Sequence, residues 1–167
     1  MDPLLSWVSV VSAALGAACC TADAGRRSWP LAAGMVVMLA AMIDAMLLGG
    51  ALMPAVLWGI ALFALGFGLV LAYRRSQLGM LRAAHIALMG MAAVVMGGAD
   101  AADAITTTPH GHARTHDIVL PAIILCLTAA FLVAALRVAR DKTTRNVRIE
   151  LAAGAVSLVA MAAMPFV

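Results

Sequence analysis

Six apolar stretches, each about the length of a membrane-crossing helix, fill nearly the whole chain and restrict it to one kind of fold. Hydrophobic residues make up 65% of the 167 residues and charged residues only 11%, too little polar surface for a water-facing exterior. Backbone groups in hydrocarbon must be satisfied within each segment, and no stretch alternates with period two, so helices are expected. The predicted spans are 4–21, 31–50, 54–73, 82–102, 118–138 and 149–167.

The short connections between these spans leave no room for a soluble domain. We therefore expect a single integral membrane domain over 1–167, an all-α polytopic transmembrane six-helix bundle. The first span lacks positive charge before its apolar run and is expected to stay in place rather than be cleaved. The even-numbered spans each carry two chemically distinctive residues eleven positions apart: Met35 and Met46, His85 and Met96, and Glu150 and Met161. Eleven residues are about three helical turns. Three repeated two-helix hairpins, with spans two, four and six around one axis, are therefore an alternative description of the bundle.

The basic residues predict the orientation in the membrane. Ten of the eleven lysines and arginines lie at or between the ends of spans one and two, three and four, and five and six. The positive-inside rule makes that side cytoplasmic, so both termini and the loop 103–117 are predicted to be extracytoplasmic. These anchors account for the net charge of +3, and no nucleic-acid partner is expected. Arginine outnumbers lysine ten to one, a bias typical of GC-rich coding, which favours a bacterial plasma membrane.

Residues that ligate soft metals recur on the even-numbered spans and in the predicted outer loop. Three histidines fall within the seven residues 110–116, and methionines follow helical spacing on the spans. Thioether sulfur with imidazole suits copper, above all the cuprous ion, whereas imidazole with carboxylate suits zinc or cupric copper. Copper is the first expectation and zinc the second. The predicted ligand set is His110, His112, His116, Met42, Met46, Met96, Met161, Asp100 and Asp103. The alternative is plain helix packing by the methionines and a polar turn at the histidines.

Asp44 and His85 form a second candidate, an interior proton or polar site. A carboxylate more than halfway along an apolar span is expensive unless it is protonated or paired, which makes Asp44 a functional candidate. The partners considered for it are His85, Arg82, Ser9 and Ser12. The alternatives are a neutral Asp44 bonded to a neighbouring helix and a His85 that acts only as an interior hydrogen-bonding group.

No phosphate-binding loop, nucleophile elbow, helical metalloprotease motif or zinc-spaced cysteine pair occurs in the sequence, so no enzyme is expected. The first functional hypothesis is extracytoplasmic copper binding by the histidine loop, with transfer to the interior methionines. The second is a non-catalytic accessory or scaffold subunit, whose partners besides the lipid bilayer are other membrane proteins or a second copy. The third is a proton-coupled carrier of a small solute that uses Asp44 and His85.

The segments 35–42 and 85–89, MVVMLAAM and HIALM, carry a resemblance to a known group of proteins. They resemble an uncharacterised family of small actinobacterial six-span membrane proteins, a domain of unknown function, in which helices that begin with histidine carry repeated methionines. The resemblance extends over most of the chain and implies no particular activity. Histidine is present only on span four, since Met35 and Glu150 stand at its place on the other even-numbered spans.

Overall fold

The computed structural model describes residues 3–22, 28–105, 116–140 and 145–163, and these residues include six helices. The helices are α1 (Pro3–Ala22), α2 (Trp29–Leu47), α3 (Ala55–Ala72), α4 (Gln77–Ile105), α5 (His116–Arg140) and α6 (Arg145–Ala163). No strand occurs within these residues. The predicted all-α six-helix fold is therefore confirmed.

Four segments are long and apolar enough to cross a membrane, namely Trp29–Leu47, Ala55–Ala72, Gln77–Val95 and Ala122–Arg140. The apolar part of α1, Trp7–Ala22, is shorter, and α6 begins with three charged residues among its first six. The described residues thus indicate a membrane-embedded bundle with four helices of crossing length, fewer than the six that the hydrophobic stretches predict.

Several helix ends differ from the predicted spans for local reasons. Helix α2 ends at Leu47 rather than at residue 50, because Gly49 and Gly50 adopt φ angles of +64° and +76°, a region that only glycine enters easily. Helix α4 begins at Gln77, five residues before the predicted start. Ser76 explains this start, since its Oγ accepts a hydrogen bond from the Gly79 backbone N–H at 3.2 Å and so caps the helix.

At the opposite end, α4 continues to Ile105 and α5 already begins at His116. Asp103 and His116, both predicted to lie in the loop 103–117, therefore belong to helices. That expectation was wrong at both edges of the loop.

The helices pack in a closed ring in which each contacts its neighbours in the chain and α1 also contacts α6. Helix α4 makes further contacts with α2 and α6 across the ring. The apolar window of α2 is 44% buried and that of α4 is 50% buried, against 22% for each of α3 and α5. The even-numbered helices α2 and α4 are thus inner helices, and α3 and α5 turn most of their apolar side chains outward.

Glycines bring α3 and α4 into backbone contact and thereby set how α4 is rotated. A Cβ atom on Gly90 would lie 2.5 Å from the Phe63 backbone N, and one on Gly59 would lie 2.7 Å from the Gly90 carbonyl oxygen. Small residues at such positions are the usual way in which helices approach closely in lipid. With this side of α4 against α3, the side that carries Arg82, His85 and Met89 is buried among the other helices.

Candidate functional site

A buried ion pair joins the first turns of α4 and α6. The Arg82 Nε and Nη2 groups donate to the two carboxylate oxygens of Glu150, each at 2.6 Å. Both residues are almost fully buried, at 6% and 4% exposure. A two-pronged guanidinium–carboxylate contact is the geometry that best compensates two charges removed from water. The pair therefore fixes α6 against α4.

This pair was not predicted from the sequence. Arg82 was interpreted as a membrane anchor and as a possible partner of Asp44, and Glu150 only as the first member of the Glu150/Met161 pair, so their opposite charges were not matched. The available signal was that each charge sits in the first turns of an even-numbered helix, on the side that the apolar periodicity turns inward.

His85 lies one turn deeper than Arg82 on the same side of α4. The imidazole is 3% exposed, and its Nε2 atom has no hydrogen-bond partner among the described residues. Its ring centroid is 5.7 Å from that of Phe131 on α5. On α6, a Cβ added to Gly154 would lie 3.1 Å from the imidazole Cε1 atom, so the absence of a side chain there makes room for the ring. Three helices therefore enclose an imidazole nitrogen that is unsatisfied within this part of the chain.

Several methionine side chains of the three even-numbered helices are buried in the same core. Met46 is partly buried and packs against this core. The fully buried members are Met35, Met38 and Met42 on α2, Met89 on α4 and Met161 on α6. The predicted Met42, Met46 and Met161 thus face the interior, as the helical spacing indicated. Met35, Met38 and Met89 join them, although they were not in the predicted ligand set.

The contacts between the helices give the relative height of these groups. A Cβ on Gly34 of α2 would lie 2.8 Å from the Ile86 Cδ1 atom of α4, which places Met35 and His85 at similar depth. His85 faces Gly154 on α6, whereas Glu150 lies one turn nearer the end with the ion pair. Met35 and His85, the first members of the first two predicted repeats, therefore lie at similar depth. Glu150, the first member of the third repeat, is offset from them by about one turn.

Asp44 is 1% exposed and lies away from this site. Its carboxylate accepts hydrogen bonds from the Leu52 and Met53 backbone N–H groups at 3.0 and 3.1 Å, and from Trp58 Nε1 at 2.7 Å. These donors belong to the turn after α2 and to the first turns of α3. Asp44 therefore holds the α2–α3 turn in place.

The partners considered for Asp44 in the sequence analysis were wrong. Arg82 binds Glu150, and the Ser9 hydroxyl lies 3.3 Å from the Ser157 hydroxyl on α6. Ser12 donates to the Ser9 carbonyl oxygen at 3.0 Å. The interpretation in which Asp44 bonds to a neighbouring helix comes closest, through the indole of Trp58. No combined site of Asp44 and His85 is formed by these contacts.

The remaining predicted ligands lie at the other end of the bundle. Met96, Asp100 and Asp103 belong to the last part of α4, and His116 is the first residue of α5. His110 and His112 lie outside the described residues. Within the described ranges, no group of three or more His, Cys, Asp or Glu side chains could hold a metal ion. A metal site among these residues would therefore need methionine sulfur.

Comparisons with known proteins found no matching family model, no matching curated protein and no matching solved structure. The resemblance to an actinobacterial family of small membrane proteins therefore stays a prediction. The function has to be argued from the chain's own residues.

Proposed function

We propose that this protein binds copper in its cuprous state inside a helical bundle of the bacterial plasma membrane, without catalytic activity of its own. One observation carries the proposal: an imidazole nitrogen of His85 without a partner is buried in a core that also contains methionines from α2, α4 and α6. A buried polar nitrogen that forms no hydrogen bond is costly, and a metal ion would remove that cost.

The chemistry of the surrounding side chains favours copper over other metals. Thioether sulfur is a soft ligand that selects Cu(I), and a neutral imidazole is a good companion to it. His85 and Met89 are four residues apart and so lie next to each other on one side of α4, about 6 Å apart along the axis. Met35, at similar depth on α2, is the candidate for a third ligand. Zinc is the second choice, because it prefers His, Cys and carboxylate groups that this part of the core does not cluster.

The proposed path of the copper ion to His85 uses the residues of the predicted ligand set. His110, His112 and His116, together with Asp100 and Asp103, are proposed to capture the ion outside the membrane. Met46, Met42, Met96 and Met161 would then pass it inward toward His85. Successive thioethers on parallel inner helices suit this transfer, since each holds a soft ion weakly enough to release it.

The proposal includes six crossings with the arginine-bearing end in the cytoplasm and both termini outside. The charge at the start of α6 is the main obstacle to a sixth crossing. The bidentate contact of Glu150 with Arg82 supports the crossing, because a compensated pair enters a membrane interior more cheaply than two separate charges.

The test is a titration of purified protein in mild detergent, under reducing conditions, with Cu(I) supplied from a coloured chelator. Wild-type protein is expected to compete for one interior ion. His85→Phe keeps an aromatic ring, although a slightly larger one, and removes the nitrogen ligands, and we expect about a tenfold or greater loss of affinity. Met89→Leu should weaken binding as well. Met80→Leu is the matched control, because Met80 is 40% exposed on the same helix and should leave the affinity unchanged.

A second arm separates capture from interior binding. Replacing His110, His112 and His116 with Ala should slow copper loading but leave the interior affinity in place. If wild-type protein holds no copper and His85→Phe changes nothing, the copper function is wrong. The accessory-subunit hypothesis would then be the next to test, through partners retained during purification.

A further inference from the structure

A cavity of about 800 Å³ lies between α2, α3 and α4, at the end of the bundle that carries the buried ion pair. Its apolar lining includes Leu31, Leu71 and Leu78. Its polar lining consists of Ser28, Tyr73, Arg74, Arg75, Ser76 and Arg82. None of the lining residues that the structure describes is acidic. The cavity thus combines an apolar wall with a basic one.

The positive charge available in this cavity comes from the turn between α3 and α4. Arg74 and Arg75 are exposed at its rim, and no acidic side chain of the described ranges forms an ion pair with either. The charge of Arg82, deeper in the wall, is compensated by Glu150. Two guanidinium groups therefore face an opening whose described lining has no acidic side chain.

The starts of two helices add to this charge. Ser28 is the N-cap residue of α2, and Ser76 caps α4. The N-terminal end of a helix carries a partial positive charge, which favours an anion nearby. Both helix starts and both arginines thus favour the same kind of ligand.

We infer that this cavity, defined as the Arg74–Arg75 cavity, binds a phosphate group. A guanidinium fork matches phosphate oxygens in charge and geometry. Basic cavities between membrane helices commonly hold the head groups of anionic lipids, and the leucine wall would accommodate the adjoining glycerol and acyl carbons. The phosphate can come from a lipid head group or from a free phosphate ion. This site is separate from His85 and does not depend on copper.

The experiment compares the two sources on the full-length protein. In one arm, nanodiscs of phosphatidylglycerol or of phosphatidylcholine are used, and lipids retained after transfer to the gas phase are counted by native mass spectrometry. In the other arm, inorganic phosphate is titrated into detergent-solubilised protein and followed by ³¹P NMR. Arg74→Ala with Arg75→Ala should weaken binding about twenty-fivefold, from about fivefold for each basic residue.

Two further variants separate the cavity from general surface charge. Arg137→Ala with Arg140→Ala removes the same charge at the same end of the bundle from exposed positions outside the cavity, and binding should stay within about twofold of wild type. Ala72→Trp keeps the charge but adds a large side chain at a lining position and should weaken binding by filling the cavity.

Loss confined to the Arg74/Arg75 and Ala72 variants supports the inference, and the arm that shows it identifies the source of the phosphate. Equal losses of binding in both double-arginine variants would mean that only diffuse charge attracts anions, and this result would overturn the inference. Lack of phosphate and phosphatidylglycerol binding in wild-type protein would overturn it as well.

Discussion

Asp44 and Glu150 are both carboxylates buried in an apolar helical bundle, yet they are satisfied in different ways. Asp44 accepts bonds from two backbone amides and one indole, all within fourteen residues along the chain. Glu150 binds the guanidinium of Arg82, 68 residues away. The first contact shapes a local turn, whereas the second joins two helices.

The surroundings of the two carboxylates differ as much as their partners do. The three bonds to Asp44 join neighbouring parts of the chain and involve no imidazole or methionine side chain. One turn beyond the Glu150 pair lies His85, whose Nε2 atom is unsatisfied among the described residues. Burial of a charge therefore does not by itself identify a functional site. An unsatisfied neighbour is the more informative feature.

The largest expected effect is that of Glu150→Ala, which would leave the Arg82 charge buried and unpaired. Removal of one partner from a buried pair typically costs about 3–5 kcal/mol. Thermal unfolding in detergent, followed by circular dichroism, should show a correspondingly large loss of stability. The matched control is Arg82→Met with Glu150→Leu, which removes both charges and should recover most of the loss. A stability of Glu150→Ala within about 1 kcal/mol of wild type would show that α6 does not depend on the pair.

Asp44→Ala should have the next largest effect, but on stability alone. Three donors at 2.7–3.1 Å lose their acceptor, and we expect a cost of about 3 kcal/mol. Copper affinity should be unchanged, because the hydrogen bonds of Asp44 go to the α2–α3 turn and to Trp58 rather than to His85. Thermal unfolding and the Cu(I) titration on the same preparation measure both quantities. A clear fall in copper affinity would show that the α2–α3 turn around Asp44 and the site around His85 are not independent.

The helices themselves could be predicted from the sequence because lipid imposes one requirement, a long apolar stretch with satisfied backbone groups, at every position of a span. The ends were harder to predict. The positive φ angles of Gly49 and Gly50 and the cap at Ser76 are decided by a few atoms. Such local geometry leaves no periodic signal.

The candidate site could be predicted only in part. Helical spacing was enough to indicate that Met42 and Met161 face inward, since both are buried. The partners of Asp44 depend on how the chain turns after α2, and the Arg82–Glu150 pair depends on how α4 and α6 are rotated and offset. Neither the path of the turn nor the rotation and offset of two helices can be read from the residue pattern of one helix. Apolar helix faces in lipid can pack against each other at many offsets along the helix axis.

Gly154→Ala should change copper affinity more than stability, unlike the variants of Asp44 and Glu150. The new methyl group would lie 3.1 Å from the His85 Cε1 atom, so the ring must shift by a few tenths of an ångström. Alanine also favours the helix by about 0.5–1 kcal/mol, which offsets part of the strain. We therefore expect nearly unchanged thermal stability but about a tenfold lower Cu(I) affinity. Gly68→Ala is the control, because no atom lies within 4 Å of its added Cβ. Equal copper affinities for both variants would argue against His85 as a ligand.

Trp58→Phe should have the smallest effect, since it removes one of the three donors to Asp44 and keeps an aromatic ring. The indole bond is the shortest of the three at 2.7 Å, but two backbone amides would still hold the carboxylate. We expect a loss of about 1 kcal/mol in thermal unfolding and no change in copper affinity. Trp7→Phe, at a 57% exposed position on α1, should leave both quantities unchanged. A loss of stability as large as that of Asp44→Ala would mean that the indole, rather than the turn amides, anchors the carboxylate. The α2–α3 turn would then be held by the packing of α3.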